Sequence, residues 1–254
     1  MILIDTHTHL YLNEFENDLE KVIENARKVG VARFYLPSID SEHHENLLKL
    51  EAVYPLECFP MMGLHPCSVK VNFLEELAIV ENILTRRKFC AIGEIGLDYY
   101  WDETYKQEQL IAFCKQMDWA LQYSLPIVIH TRNAMKDTID AVKPYAEKGL
   151  TGIFHCFGDN EAVANKIIDM GFYLGIGGVV TYKKANLETS LANIPLEKMV
   201  LETDAPYLTP VPFRGKRNES SYLIHIAQRL AEIKKVSIEE VAAITTANAK
   251  NIFG

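Results

Sequence analysis

Apolar residues run along this chain in two alternating rhythms. Short β-branched and aromatic runs recur at residues 2–5, 31–36, 57–62, 89–93, 127–129, 151–154, 172–176 and 200–202. Runs of that length, bounded by turn residues, read as buried strands. Between them, apolar side chains fall three and four residues apart, which puts them on one face of a helix. Leu19, Val22, Ile23, Ala26 and Val29 mark one such helix, with Gly30 as its stop. Leu110, Phe113, Cys114, Met117, Ala120 and Leu121 mark a second; Ala162, Val163, Ile167 and Met170 mark a third, closed by Gly171. Residues 182–194, 220–234 and 238–253 read as three more, the first with the least regular pattern.

Strands that take turns with helices join in parallel through right-handed crossovers. Eight of them in 254 residues fit an α/β fold, a single (β/α)8 TIM-type barrel spanning residues 1–254. A doubly wound open sheet would carry G-x-G-x-x-G after its first strand. Here that strand runs into Asp5-Thr6-His7-Thr8-His9 instead, and no Pro/Ser/Gly linker, charge block or repeat divides the chain.

Charge and cysteine usage narrow the class. With 26 basic against 34 acidic side chains the net charge is −8, which excludes a globally basic nucleic-acid coat but not a local basic patch. No apolar run approaches the roughly 18 residues a membrane span needs. Asp5 follows the first four residues with no cationic n-region before it, and the five cysteines form no C-x-x-C. The expectation is a soluble cytoplasmic protein with reduced thiols, no membrane partner and no obligate protein partner.

In barrels of this kind the reactive groups come from the C-terminal ends of the strands. Those ends supply His7 and His9 after the first strand, His65 after the third, Glu94 after the fourth, His130 after the fifth, His155 after the sixth, and Glu202 and Asp204 after the eighth. Neutral imidazoles mixed with carboxylates suit Zn²⁺, Mn²⁺ and related divalent ions, and the absence of cysteine disfavours a structural thiolate site. His7 and His9 stand two apart, on the same side of an extended chain, so they can share one ion; His130 and His155 can share a second. Glu94 and Asp204 are the candidate bridging carboxylates. His65, in Gly63-Leu64-His65-Pro66, is placed beside the substrate or behind a ligand, and Glu202 and Asp98 behind ligands that they orient.

Other residues take plainer readings. His43 and His44 open a polar helix and are expected in solvent; His225 lies within a helix and reads as structural; Cys156 reads as a small buried hydrophobe. Tyr99, Tyr100 and Trp101 are either packing or a stacking surface beside the site. Arg214, Lys216 and Arg217 put three cations within four positions just beyond Asp204, on a rim where barrels often hold phosphate. With Arg132, they are the candidate phosphate contacts.

Taken together, Asp5-Thr6-His7-Thr8-His9, Gly63-Leu64-His65-Pro66, Gly93-Glu94-Ile95-Gly96-Leu97-Asp98, His130-Thr131-Arg132, His155-Cys156-Phe157, Glu202-Thr203-Asp204-Ala205-Pro206 and Arg214-Gly215-Lys216-Arg217-Asn218-Glu219 resemble, in order, the TatD family of metal-dependent deoxyribonucleases within the amidohydrolase superfamily. The resemblance implies a distorted barrel that hydrolyses phosphodiesters with two divalent ions (Mg, Mn or Zn). His7, His9, Glu94 and Asp204 would hold one, and Glu94, His130 and His155 the other, with Glu94 bridging. Two departures stand out: Gly158-Asp159 follows His-Cys-Phe where the family often has Ser or Thr and then Gly, and Ser220 replaces a frequent Pro. Both bear on loop shape rather than on ligands.

The activity implied is hydrolysis of DNA, as a 3′–5′ exonuclease on single strands, with Asp204 and Glu94 in catalytic positions. Two alternatives share the residues: a metal-dependent ester hydrolase such as an aminoacyl-tRNA deacylase, and an inactive nucleic-acid-binding barrel. Related amide-cleaving barrels often bridge their metals with a modified lysine where this chain has Glu94, which favours the phosphoesterase reading.

Overall fold

The computed structural model describes residues 1–254. Eight strands follow one another in chain order: β1 (Leu3–Asp5), β2 (Val31–Leu36), β3 (Cys58–Pro60), β4 (Ile92–Asp98), β5 (Ile127–Arg132), β6 (Gly152–Phe154), β7 (Tyr173–Ile176) and β8 (Met199–Leu201). Every pairing is parallel, in two sheets, β1-β2-β3 and β4-β5-β6-β7-β8. The sheets meet at both seams. Met62 pairs with Ile92 between β3 and β4, and the Thr6 N–H donates to Leu201 O at 3.0 Å between β1 and β8. The result is the α/β barrel type expected of eight alternating units.

Nine helices cover the outside: α1 (Leu19–Lys28), α2 (His44–Val53), α3 (Phe73–Leu84), α4 (Lys106–Tyr123), α5 (Met135–Ala146), α6 (Glu161–Asp169), α7 (Leu187–Leu191), α8 (Leu223–Lys234) and α9 (Ile238–Phe253). None is long and apolar enough to cross a membrane. The strands alternate between two cores, as a period of two requires. Leu3, Phe34, Leu36, Ile127, Ile129, Phe154 and Leu201 join the large core shared with the helices. Ile4, Tyr35, Val128, Ile153 and Val200 form a second cluster with Met61, Ala91 and Ala249 of α9. α9 is capped at its N-terminus: Ser237 Oγ accepts the Glu240 N–H at 3.1 Å, with Glu239 and Glu240 in the first turn. Its far end lays Phe253 on Tyr35 at 4.0 Å, and Asn248 Nδ2 donates to Leu196 O and Met199 O, tying the helix to the base of β8.

Several boundaries differ from the hydrophobic pattern. The fourth strand is not residues 89–93 but Ile92–Asp98, and the fifth continues past Ile129 through Arg132. Glu94, Asp98 and His130 therefore sit within strands. They look like strand ends in sequence because they are polar, yet Glu94 and Asp98 are buried. The 182–194 segment is broken: a 3-10 turn, Lys183–Ala185, precedes the five-residue α7, and Asn186 at the junction is left-handed at φ 52°. α2, α3 and α5 lie outside the helices that the periodicity marks. In α2 the buried stripe is His44, Leu47 and Leu50, so His44 is in the core and not in solvent; its Nε2 lies 3.0 Å from Ser38 Oγ.

Gly96 shows how tightly β4 and β5 approach. Its φ is +147°, and a Cβ there would stand 1.9 Å from His130 O. A side chain at this position meets backbone, which has no rotamer by which to yield. We expect Gly96→Ala to lower stability by about 3 kcal/mol, the sum of backbone strain and overpacking. Urea denaturation monitored by circular dichroism tests this, and a loss under roughly 1 kcal/mol would contradict it.

Candidate active site

The site forms where β1 and β8 end side by side. Asp5, the last residue of β1, is buried and accepts hydrogen bonds from Thr203 N (2.9 Å), Thr203 Oγ1 (2.7 Å) and His7 N (3.4 Å). Burial pushes its carboxyl up to about 7 against those hydrogen bonds. Asp5 thus clamps the segment carrying His7 and His9 to the segment carrying Asp204. Asp204 itself takes a left-handed backbone, φ 58°, with its N–H on His7 O at 2.9 Å.

Four side-chain atoms converge there. His7 Nε2 and His9 Nε2 are 3.3 Å apart. Glu94 Oε2 lies 3.1 Å from the first and 3.7 Å from the second, and Asp204 Oδ1 lies 3.6 and 3.5 Å from them. Ligands held about 2.0–2.2 Å from a divalent ion stand roughly 3 to 3.6 Å from one another, the spacing of this set. Converging nitrogen lone pairs and carboxylates repel unless a cation lies among them, so the donor set fits a divalent ion. The tautomer of His9 fits too: its Nδ1 is 2.9 Å from Tyr11 Oη, which in turn donates to Pro37 O at 2.6 Å. The Nδ1–H of His9 therefore donates to the tyrosine oxygen, and Nε2 is left with a lone pair. His7 stacks on His155 at 3.6 Å, and its buried Nδ1 has no partner.

The other oxygen of Glu94 faces a second set. Oε1 lies 3.0 Å from His130 Nδ1, 3.5 Å from His65 Nε2 and 3.6 Å from His155 Nε2. Behind His130, Asp98 Oδ2 lies 2.8 Å from Nε2; behind His155, Glu202 Oε1 lies 2.9 Å from Nδ1. The first is a carboxylate–histidine pair, with Asp98 on the outer ring nitrogen and the inner nitrogen turned toward a cation; at His155 the two groups are in ionic contact without hydrogen-bond geometry. Room for Glu202 depends on Gly175 of β7, where a Cβ would stand 2.2 Å from Oε2. His65 is different. Its Nδ1 accepts the Cys67 N–H at 3.1 Å, so its Nε2 carries the ring proton and acts as a hydrogen-bond donor.

Charge within the cluster is mutually supported. Burial disfavours the Glu94 carboxylate, but His7, His65 and His155 around it hold its pKa well below the usual range. Burial likewise opposes a charge on His155, and the Glu202 and Glu94 carboxylates outweigh it, pushing the imidazole up to about 10.

A cleft of about 820 Å³ opens above these atoms, lined by His9, His65, Glu94, His130, His155, Asp204 and Arg132 among others. The structure thus brings His7, His9, Glu94, His130, His155 and Asp204 to one place, with His65 beside them. It does not bring Arg214, Lys216 or Arg217 to the lining. Arg214 lies over the Tyr182 ring at 3.9 Å and Lys216 over Phe213 at 5.6 Å. Arg217 is paired twice with Asp18 at 2.8 Å and again with Glu219 at 3.2 Å, so its charge is already neutralised within the fold. Tyr11 and Asp5 have no assigned role in the sequence reading. The two-residue spacing of His7 and His9 continues to Tyr11, and that repeat is the signal that could have found it.

Residues 4–254 match the family of TatD-related DNases. An uncharacterized metal-dependent hydrolase of Bacillus subtilis, YabD, is 39% identical over 253 residues, covering 99% of each chain. The 3′–5′ ssDNA/RNA exonuclease TatD of Erwinia tasmaniensis is 30% identical over 257 residues, again covering 99% of each. Among solved structures, the TatD homolog YjjV of Escherichia coli superimposes with a TM-score of 0.93 at 28% identity, covering 99% of this chain and 97% of that one.

Proposed function

This chain belongs to the TatD-related DNase family of metal-dependent hydrolases, and on that premise we propose that it is a 3′–5′ exonuclease on single-stranded DNA with two divalent ions in its cleft. The observation that carries the reading is Glu94, whose two oxygens face separate donor sets. His7, His9, Glu94 and Asp204 would hold one ion; Glu94, His130 and His155 would hold the other. When bound, such ions lower the pKa of water and neutralise charge on a phosphoryl group.

The chain's own residues do the rest. Asp204, left-handed and open to the cleft, takes the proton of the attacking water or orients that water. His65 donates its Nε2 proton to a phosphoryl oxygen, a donor fixed in advance by the Cys67 N–H. Arg132, on the cleft wall, pairs with a neighbouring phosphate of the strand. A cleft of about 820 Å³ has the size of a site for one small ligand, so a strand enters it as unpaired nucleotides and not as duplex. The polarity follows the name of the Erwinia relative.

The test is a cleavage ladder on 5′-labelled and 3′-labelled single strands, using metal-stripped protein resupplied with Mg²⁺, Mn²⁺ or Zn²⁺. We expect stepwise shortening of the 5′-labelled strand and immediate release of the label from the 3′-labelled one. Internal cuts at early times would replace exonuclease with endonuclease action. No cleavage under any ion, with deacylation of charged tRNA, would move the activity to carboxylic esters.

A further inference from the structure

One exposed feature of the cleft has no part in the chemistry above. At its mouth Trp101 is 69% exposed and Tyr100 52%, in a chain whose other tryptophan, Trp119, is buried with its Nε1–H on Glu81. Large aromatic rings left in water next to a reactive cleft contribute nothing to the core. The segment is nonetheless built. Asp98 Oδ1 accepts the N–H groups of Tyr100 (2.9 Å) and Trp101 (3.3 Å), while Asp98 Oδ2 lies against His130. One carboxylate therefore fixes the aromatic pair relative to the reactive histidine. Arg132 lies over the Tyr100 ring at 3.7 Å and 5.1 Å from that of Trp101, so a cation stands beside the exposed rings. Across the cleft mouth Tyr207, 49% exposed, presents a further ring.

An aromatic face beside a braced guanidinium matches a base and its phosphate, whatever the base, because every base has a π-face. We propose that Trp101 stacks the base of the strand's terminal or penultimate nucleotide while Arg132 holds the adjoining phosphate. This surface sets the preference for unpaired ends and is indifferent to sequence. The inference rests on the nucleic-acid reading of the cleft, and names the part of the substrate that this chain recognises.

Two measurements test it. In metal-free protein, oligo(dT) should quench the exposed part of the tryptophan emission. Trp101→Phe should abolish that quench, since buried Trp119 cannot report it. In turnover, Trp101→Ala should raise KM about 5- to 100-fold on an ordinary strand, the range for losing one base–aromatic stack, with kcat within about twofold. Trp101→Phe should recover part of the loss. On a strand whose 3′ nucleotides are stable abasic analogues, wild type and Trp101→Ala should be equal. If the variant loses as much on the abasic strand, or loses nothing on the ordinary one, the stacking role is overturned while the nuclease reading stands. If the wild type is quenched by oligo(dT) and cleaves no strand, the nuclease reading falls and the stacking surface stands.

Discussion

Asp204→Asn should cut turnover about 10³-fold at saturating Mn²⁺, inside the 10²–10⁴ that a positioned acid–base group contributes. Asparagine is the informative replacement. Asp204 sits at φ 58°, and asparagine is among the few residues that tolerate that region. The N–H bond to His7 O is kept, and only the carboxylate charge is lost. Burial disfavours that charge, yet His9, His155 and His7 hold its pKa below the ordinary aspartate value, so it is ionised at neutral pH. Stability should fall little, which a thermal melt of the same sample checks. A variant that turns over within about tenfold of wild type would remove Asp204 from the reaction.

Glu94→Gln should have an effect of similar size by another route. Oε2 serves His7 and His9, while Oε1 serves His130 and His155. An amide keeps one neutral oxygen and turns the other into a donor aimed at imidazole nitrogens. Loss of a partner that merely orients a ligand costs up to about 10²-fold in affinity, and losing a direct carboxylate should cost more. Both ions should therefore be missing from dialysed Glu94→Gln protein by elemental analysis, with cleavage lost in parallel. His9→Ala, which touches only one donor set, should lose one ion and keep the other. Equal metal content in wild type and Glu94→Gln would refute the bridging position.

How far the sequence revealed this follows from the range of each interaction. His7, His9, Glu94, His130, His155 and Asp204 were legible because strand order alone places strand ends on one rim. The extent of β4 was not. Glu94 and Asp98 read as strand ends by polarity, and only the imidazoles opposite them, from other strands, make them tolerable inside. His44 misleads for a related reason: its partner Ser38 is supplied by the turn after β2. Arg217 reads as a free cation because its neutralising partner, Asp18, lies 199 positions away. Hydrophobic rhythm reports which face is buried, not which polar groups meet there.

The clamp between Asp5 and Thr203 joins residues 198 apart in the chain. Contacts of such separation form late, because the long loop they close must first lose its freedom. His7 and His9 meet Asp204 only across that junction, so the complete donor set does not exist in a chain still being synthesised or only partly folded. The candidate metal centre therefore depends on closure of the barrel more than any single strand does.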